Sequence, residues 1–376
     1  MADEKGETMP GEDAGASDAR LAQFVLTRSL RLRRGQNVII ETWPHALDLA
    51  EEFVVQARRM GIRPMVLYEG DRSFFDSQRL ASVADGSAIA APELAAVAAT
   101  DAYVYLPGPA DPKRWAELPS ARRDAMDRWM ETWNRVLRGR GARACYAYFA
   151  AATEAAAREY DIDLGAWRRE LRESSVVDPA FLRRSARRLS GRLRAGHRVT
   201  ITHPNGTRID LGLSGRTPFV DDGSVDDEDL RYGKSWTVVP SGLAIVAINE
   251  RFAEGRFIAN RPSHHRRGVN RDVQWTFHDG RLISYESEDP SGVFAEAYRT
   301  GGPGRDRPAL FSVGLNPRIR DAPLLQDQGR GVVSLYIGGN DHYGGRTRSS
   351  FHDYALLEGA DVSVDGHPIV RAGELV

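Results

Sequence analysis

Three two-residue turn signals divide the second half of the chain into pairs of short strands. They are Asn205-Gly206, Asp279-Gly280 and Asp365-Gly366. Such pairs favour tight hairpin turns, because both central positions of those turns need positive φ. Each pair separates two stretches in which apolar and polar residues alternate, the pattern of a strand with one buried face. The sequence therefore predicts a β-rich α+β domain over residues 191–376.

The first half follows a different pattern, in which short apolar runs alternate with helical stretches. The runs are "QNVIIET", "RPMVLYEG", "DAYVYLPG" and "RACYAYFA". This alternation predicts a doubly wound, mostly parallel sheet, whose strand ends often carry a ligand. The first crossover, "ETWPHALD", lacks the GxGxxG of a dinucleotide site. We expect an α/β domain over residues 20–190, after an acidic and disordered tail over residues 1–19.

Composition narrows the range of partners. The 376 residues carry a net charge of −1, which does not favour nucleic acid or an anionic membrane. No apolar run reaches the roughly 18 residues that span a bilayer, and the start of the chain has no signal-peptide pattern. The single cysteine, Cys145, lies in an apolar run and is interpreted as a structural thiol. We expect a cytoplasmic protein whose partner is a small molecule.

The stretch "GGNDHYGGRTRSSFHDY", from Gly338 to Tyr354, has the densest set of chemical groups. Its glycines would let the backbone approach a ligand closely. If the last part is a strand, His352 and Tyr354 share one face and Asp353 points to the other, so His352 and Asp353 chelate one ion only across a bulge. Three interpretations stay open: a metal site, a substrate clamp, or a glycine-rich hairpin with a structural histidine.

Two further groups are candidates for binding substrate. His264 and His265 are adjacent in "NRPSHHRRG", so in an extended segment they face opposite ways and do not share one metal. The neighbouring arginines support a place for these histidines in a binding site. Arg318, in "LNPR", and Arg346, in the glycine-rich stretch, are the other candidate substrate-binding residues.

Four segments give the chain a resemblance to a known family. They are "WTVVPSGLAIVAINERFAEG", "SVGLNPR", "YGGRTRSSFH" and "DVSVDGHPIVRAGELV". In this order they resemble metallopeptidases of the aminopeptidase T type, and most closely the branch that contains 2,5-dihydroxypyridine 5,6-dioxygenase. The resemblance extends from Gln23 to Val376 and is clearer in the second half. It implies the fold of that family and a homo-oligomer.

The peptidase ligand pattern is not kept. In the peptidases a metal-binding glutamate follows "PSG", where this chain has Leu243. The positions of a second glutamate and of a histidine hold Leu310 and Ser334. Leucine and serine hold zinc, manganese or cobalt poorly. The resemblance therefore implies the fold without a cocatalytic aminopeptidase centre.

The dioxygenase branch holds Fe(II) with two histidines and one carboxylate. Its H-x-D pair matches His352 and Tyr354, so the histidine is kept and the carboxylate is not; the other histidine matches Leu310. Shifting the match by one residue gains Asp353 but places Phe351 at the histidine position. Three alternatives follow: a metal held by His342, His352 and Asp353; metal-free acid–base chemistry with His352 and Tyr354 as catalytic groups; or a binding or scaffold protein.

The resemblance and the residues together lead to one functional hypothesis. We expect a metalloenzyme-like protein of small-molecule metabolism, with ring-cleaving dioxygenase chemistry on a hydroxylated aromatic or heteroaromatic acid. A divalent metal, with Fe(II) as the candidate, would be the cofactor. A metal-dependent amide hydrolase of the aminopeptidase type and a non-catalytic homologue are the alternatives. The site is expected at the junction of the two domains, where small molecules usually bind.

Overall fold

The computed structural model describes residues 16–213, 215–231, 233–265, 268–289, 292–349 and 351–376. The predicted tail, 1–19, lies outside the described residues as far as residue 15. Its last four residues, 16–19, were predicted to be disordered but have defined structure. Ala16 is buried, and the Ser17 hydroxyl accepts a hydrogen bond from the Arg20 amide, which caps a helix that begins at Asp18. Regular structure thus starts before residue 19.

The described residues form eleven α-helices and nineteen strands. The helices are α1 (Asp18–Phe24), α2 (Leu47–Arg59), α3 (Asp71–Leu80), α4 (Ala91–Ala99), α5 (Lys113–Ala116), α6 (Ser120–Arg140), α7 (Glu154–Tyr160), α8 (Leu164–Ser175), α9 (Pro179–Ala195), α10 (Asp227–Arg231) and α11 (Val293–Thr300). The first ten strands are β1 (Asn37–Thr42), β2 (Arg63–Tyr68), β3 (Ala102–Tyr105), β4 (Arg143–Ala147), β5 (Arg198–Thr202), β6 (Arg208–Gly212), β7 (Phe219–Asp221), β8 (Trp236–Val239), β9 (Leu243–Ala247) and β10 (Ala253–Ile258). The others are β11 (Ser263–His265), β12 (Gly268–His278), β13 (Arg281–Glu288), β14 (Pro308–Gly314), β15 (Val333–Gly338), β16 (His352–Leu357), β17 (Asp361–Val364), β18 (His367–Arg371) and β19 (Glu374–Leu375).

The first sheet has the order β2-β1-β3-β4-β8, and all of its strand pairs are parallel. Apolar side chains cover both faces: Ile40 joins one buried cluster and Ile39 joins another. Burial on both faces is why the strands of such a sheet are nearly continuous apolar runs. The predicted α/β fold class is confirmed.

The expected boundary at residue 190 falls inside helix α9. The buried side of α9, which includes Leu182 and Leu189, packs into the core of the β-rich part. Strand β8, over residues 236–239, returns to complete the parallel sheet beside β4. The two parts of the chain are therefore interleaved around residues 179–239.

The second half contains a nine-stranded sheet and an antiparallel five-stranded sheet. The nine-stranded sheet has the order β11-β12-β10-β6-β5-β17-β18-β19, with β13 paired to β12, and the five-stranded sheet has the order β16-β15-β14-β9-β7. All three predicted hairpins form, as β5/β6, β12/β13 and β17/β18. The first differs in detail, because residues 203–207 make a longer loop in which the Asn205 side chain accepts the Thr207 amide at 3.0 Å.

Alternation along the five-stranded sheet gives it two different faces. One face, with Val246, Phe311 and Leu335, packs into the main core of the β-rich part. The opposite face is referred to below as the cleft face. It consists of Phe219, Leu243, Ile245, Ala247, Leu310, Tyr336 and Tyr354, with Tyr343 from the following loop.

Within the described ranges, none of the helices is both long and apolar enough to cross a membrane.

Candidate functional site

The cleft face carries the positions that the family resemblance implies as metal-ligand positions. Leu243 and Leu310 pack with aromatic side chains in one small cluster, and Ser334 is fully buried opposite Ser312. Tyr354 pairs with Tyr336 across β15 and β16. Alkyl groups offer no ligand atoms, and neutral hydroxyls are poor ligands for divalent transition metals. The side chains present here therefore do not fit the metal centre of either resembling class of enzyme.

His352 and Asp353 lie on opposite sides of β16, as strand geometry requires. His352 is exposed, with its ring 5.4 Å from that of Tyr336. Asp353 is fully buried and accepts the hydroxyl of Tyr285 at 2.8 Å and the amide of Asn270 at 3.3 Å. The Asp353 carboxylate is thus directed into the β-rich part, away from the cleft face.

His342 is exposed on the short turn Asp341–Tyr343 and does not join these two residues in a ligand cluster. Among the residues that the structure describes, the histidine and acid side chains close enough to hold one ion are Glu254, His278 and Asp279. All three are exposed. His278 and Asp279 lie at the turn between β12 and β13, and Glu254 lies on the neighbouring strand β10. This group is remote in sequence from every predicted ligand.

His264 and His265 contact the two β16 residues Tyr354 and Asp353. Nδ1 of His264 lies 2.8 Å from the Gln326 side-chain oxygen, and burial lowers the pKa of this histidine, so it is neutral. The carbonyl of His264 accepts the Tyr354 hydroxyl at 2.7 Å. Nε2 of His265 lies 3.3 Å from Asp353. The pair fixes Tyr354 and Asp353 in place.

The two arginine candidates are separated. Arg318 is exposed and lies 3.9 Å from the Glu173 carboxylate. Arg346 lines a large pocket at the glycine-rich loop. Of the two, only Arg346 therefore lines this pocket.

The glycines of this loop serve its own folding. Gly344 has a φ of +78°, and a Cβ on Gly345 would lie 2.0 Å from the Asn340 side chain. That side chain fills the loop: its oxygen accepts the Thr347 amide at 2.9 Å, and its nitrogen donates to Glu250 at 3.0 Å. The close backbone approach that the sequence suggested is thus made to Asn340.

Asp327 and Tyr336 form a polar pair at the cleft face that the sequence did not indicate. The Tyr336 hydroxyl donates to Oδ2 of Asp327 at 2.7 Å. Burial raises the pKa of Asp327 to about 6, although the hydrogen bond from Tyr336 acts in the other direction and the charge of Asp221 adds to the rise. Asp327 lies in "LLQDQGRG", where no motif marks it. A carboxyl group with this pKa exchanges protons near neutral pH.

The tyrosines of the cleft face are hydrogen-bond donors. Burial raises the pKa of Tyr336 and Tyr354 well above the usual value, and the nearby Asp327 carboxylate adds to the rise. Tyr343 is affected in the same direction by burial and by the charges of Asp221 and Asp327. All three hydroxyls therefore keep their protons at physiological pH.

Another acid with a strongly raised pKa lies in the α/β part. Burial raises the pKa of Glu41 to about 8, and the Tyr103 hydroxyl donates a hydrogen bond to it. Glu41 points to the same side of the parallel sheet as Ile39, where the buried cluster includes Phe75 and Trp133. Its surroundings are those of a helix-covered face and not of the cleft.

The pocket that contains Arg346 adjoins the cleft face and has a volume of about 960 Å³. Its lining residues are Gly215, Arg216, Thr217, Phe219, Asn249, Glu250, Arg251, Arg307, Tyr343, Gly344, Arg346 and Thr347. Phe219 and Tyr343 belong to both the pocket and the cleft-face cluster, with ring centroids 5.7 Å apart. One continuous surface thus runs from the arginines to the aromatic side chains of the cleft.

Comparison with known proteins supports the fold described above. A scan against family models and a search of the curated proteins find no match for this sequence. Among solved structures, wild-type AmpT from Thermus thermophilus matches with a TM-score of 0.73 and 17% identity, over 96% of this chain and 98% of that one. The 2,5-dihydroxypyridine dioxygenase from Pseudomonas putida KT2440 matches with a TM-score of 0.64 and 15% identity, over the same shares of the two chains.

The chain therefore has the aminopeptidase T-type fold that its sequence motifs predict, a fold it shares with a dioxygenase. At these identities the likeness concerns the fold. The fold is metalloenzyme-like, while the cleft face has the leucines and tyrosines described above.

Proposed function

We propose that this chain is a metal-independent acid–base enzyme that acts on a small organic substrate in the cleft. The observation that carries the proposal is the Asp327 carboxyl group, whose pKa of about 6 leaves both protonation states well populated near neutral pH. Proton transfer is most effective when the pKa of the catalytic group is close to the working pH. Asp327 is the proposed catalytic acid–base.

The neighbours of Asp327 have distinct roles in this proposal. Tyr336 keeps its proton and orients the carboxyl group through the 2.7 Å hydrogen bond. Leu243 and Leu310 form an apolar wall on the same face, which limits hydration of the carboxylate and so favours its neutral form. His352, exposed and 5.4 Å from the ring of Tyr336, is the second proton-transfer group.

The functions expected from the resemblance need ligands that these positions do not supply. A ring-cleaving dioxygenase on a hydroxylated aromatic acid would need iron ligands where Leu310 and Tyr354 stand, and an aminopeptidase would need them at Leu243, Leu310 and Ser334. A scaffold protein would gain nothing from a half-buried carboxyl group with a raised pKa, which costs stability. We therefore favour proton-transfer catalysis. A small-molecule partner, a homo-oligomer and a cytoplasmic location remain our predictions.

Incorporation of solvent deuterium provides a direct test. Chelator-treated protein is incubated in D2O with a panel of small hydroxy and keto acids, and NMR detects C–H to C–D exchange. We expect exchange in at least one acid, insensitive to EDTA, and a loss on the order of a hundredfold to ten-thousandfold in Asp327→Asn. Glu51→Gln is the control with the same change in charge, because Glu51 is exposed on α2.

Two outcomes would contradict the proposal. One is exchange that Asp327→Asn leaves intact. The other is turnover that appears only with added metal, measured as oxygen uptake with Fe(II) or as cleavage of leucine and arginine amides with zinc or cobalt. Either metal-dependent result would return the function to one of the classes expected from the resemblance.

A further inference from the structure

The pocket beside the cleft face has an excess of positive charge. Four guanidinium groups line it, from Arg216, Arg251, Arg307 and Arg346, and the only carboxylate among its lining residues is Glu250. Guanidinium groups match the geometry of carboxylate and phosphate oxygens, with which they form paired hydrogen bonds. The composition of the lining therefore favours an organic anion.

The one carboxylate is already engaged by the protein. Arg216 Nη2 donates to both oxygens of Glu250, at 3.0 and 2.9 Å, and the Arg346 amide donates at 2.6 Å. Burial would raise the pKa of Glu250, but these hydrogen bonds and that of Asn340 hold it below the usual value. Glu250 thus stays ionised and is used to hold the pocket together.

The four arginines divide into two structural ones and two at the rim. Arg307 donates to the Glu250 and Gly280 carbonyls at 3.2 and 3.0 Å, and Arg216 donates to the Gly344 carbonyl as well as to Glu250. Arg251 and Arg346 are exposed. The bond from Arg346 to Glu250 comes from its backbone, so the Arg346 guanidinium is not needed for that contact. These two guanidinium groups are placed to meet a ligand.

The inner wall of the pocket is aromatic. Phe219 and Tyr343 meet edge to face at 80° and also belong to the cleft-face cluster. The charges of Asp221 and Asp327 act on the Tyr343 hydroxyl, so this wall lies within electrostatic range of the proposed acid–base. A ligand that contacts both rings thus extends from the arginines toward the cleft.

We propose that Arg251 and Arg346 bind the acid group of a small organic anion whose planar part contacts Phe219 and Tyr343. That this anion is also the substrate rests on the proposed function of Asp327. Carboxylate and phosphate monoester groups share the chemistry that two guanidinium groups recognise. The binding site itself stands on the pocket and is independent of turnover.

Binding to the full-length protein is the test, measured by calorimetry with inorganic phosphate, benzoate and phenyl phosphate. We expect benzoate or phenyl phosphate to bind more tightly than inorganic phosphate, because only they reach the aromatic wall. The double variant Arg251→Gln/Arg346→Gln should weaken that binding by at least about tenfold. Arg187→Gln/Arg188→Gln on α9 is the control with the same change in charge, and we expect it to bind like the parent protein.

The preferred probe identifies the acid group: tighter binding of benzoate assigns a carboxylate, and tighter binding of phenyl phosphate assigns a phosphate monoester. Binding that the rim variant leaves unchanged, or that both double variants weaken equally, would overturn the inference. Asp327→Asn separates the two proposals. If deuterium exchange depends on Asp327 and anion binding is unchanged in the Arg251/Arg346 variant, only the proposed anion site is wrong. If anion binding requires the two arginines and no exchange is detected, only the catalytic proposal is wrong.

Discussion

Asp327→Asn should make the protein more stable at neutral pH while it removes proton transfer. The folded state holds the pKa of Asp327 at about 6, against an ordinary value of 3.8. Each pKa unit corresponds to about 1.4 kcal/mol, so the ionised carboxyl group costs the folded state about 3 kcal/mol. Asparagine has nearly the same shape, and its carbonyl oxygen still accepts the Tyr336 hydroxyl. The variant therefore loses the charge and keeps the hydrogen bond.

The dependence of this gain on pH follows from the direction of the shift. Below about pH 3 the carboxyl group is protonated in both states and costs nothing. As pH rises from about 3 to about 6 the unfolded chain loses its proton first, so the wild-type protein loses stability. The variant should be more stable by about 1 kcal/mol at pH 4.5 and by about 3 kcal/mol at pH 8.

Urea unfolding of both proteins at the two pH values measures the difference, and Glu51→Gln controls for the loss of one negative charge. Buried acids with no electrostatic effect on Asp327, such as Glu41, titrate in both proteins and cancel in the comparison. A variant that is equally stable as the wild type at pH 8, or less stable, would refute the burial-based account of Asp327. Greater stability with lost activity is a common relation at catalytic sites.

Three further substitutions test neighbouring parts of the structure. Tyr336→Phe removes the hydrogen bond that lowers the pKa of Asp327, so we expect the pH–rate profile of exchange to move to higher pH. An unchanged profile would show that Tyr336 does not influence the catalytic group. His352→Ala should lower turnover on the order of a hundredfold or more with little change in melting temperature, because the side chain is exposed; a lower melting temperature with full turnover would make it structural. Trp275→Ala removes a fully buried core side chain and should cost about 3–5 kcal/mol of unfolding free energy, measured by urea titration; a loss below 1 kcal/mol would contradict its place in the core.

Local sequence was sufficient for most of the secondary structure. The Asp279-Gly280 and Asp365-Gly366 turns form as predicted, with φ of +48° and +49° at the two aspartates. Turn chemistry of this kind depends on residues next to each other in the chain. The alternation of strands and helices was equally clear, since the inner strands of a parallel sheet are buried on both faces and are therefore apolar runs. The four segments that resemble the aminopeptidase T-type enzymes predicted the overall fold.

The site was decided by contacts between distant segments, which no local pattern records. Strand β8 joins the parallel sheet beside β4, about 90 residues earlier in the chain. Strand geometry predicted that Asp353 points away from His352 and Tyr354, but only the tertiary structure shows that Tyr285 and Asn270 are its partners. Asp327 has its raised pKa because folding buries it against Tyr336 and near Asp221. The sequence by itself determined most of the strands and the hairpins, because these depend on neighbouring residues, and its resemblance to a known family indicated the loss of the metal ligands. Only the folded chain decided which acid at the cleft face has a raised pKa, because desolvation depends on every segment packed around a side chain.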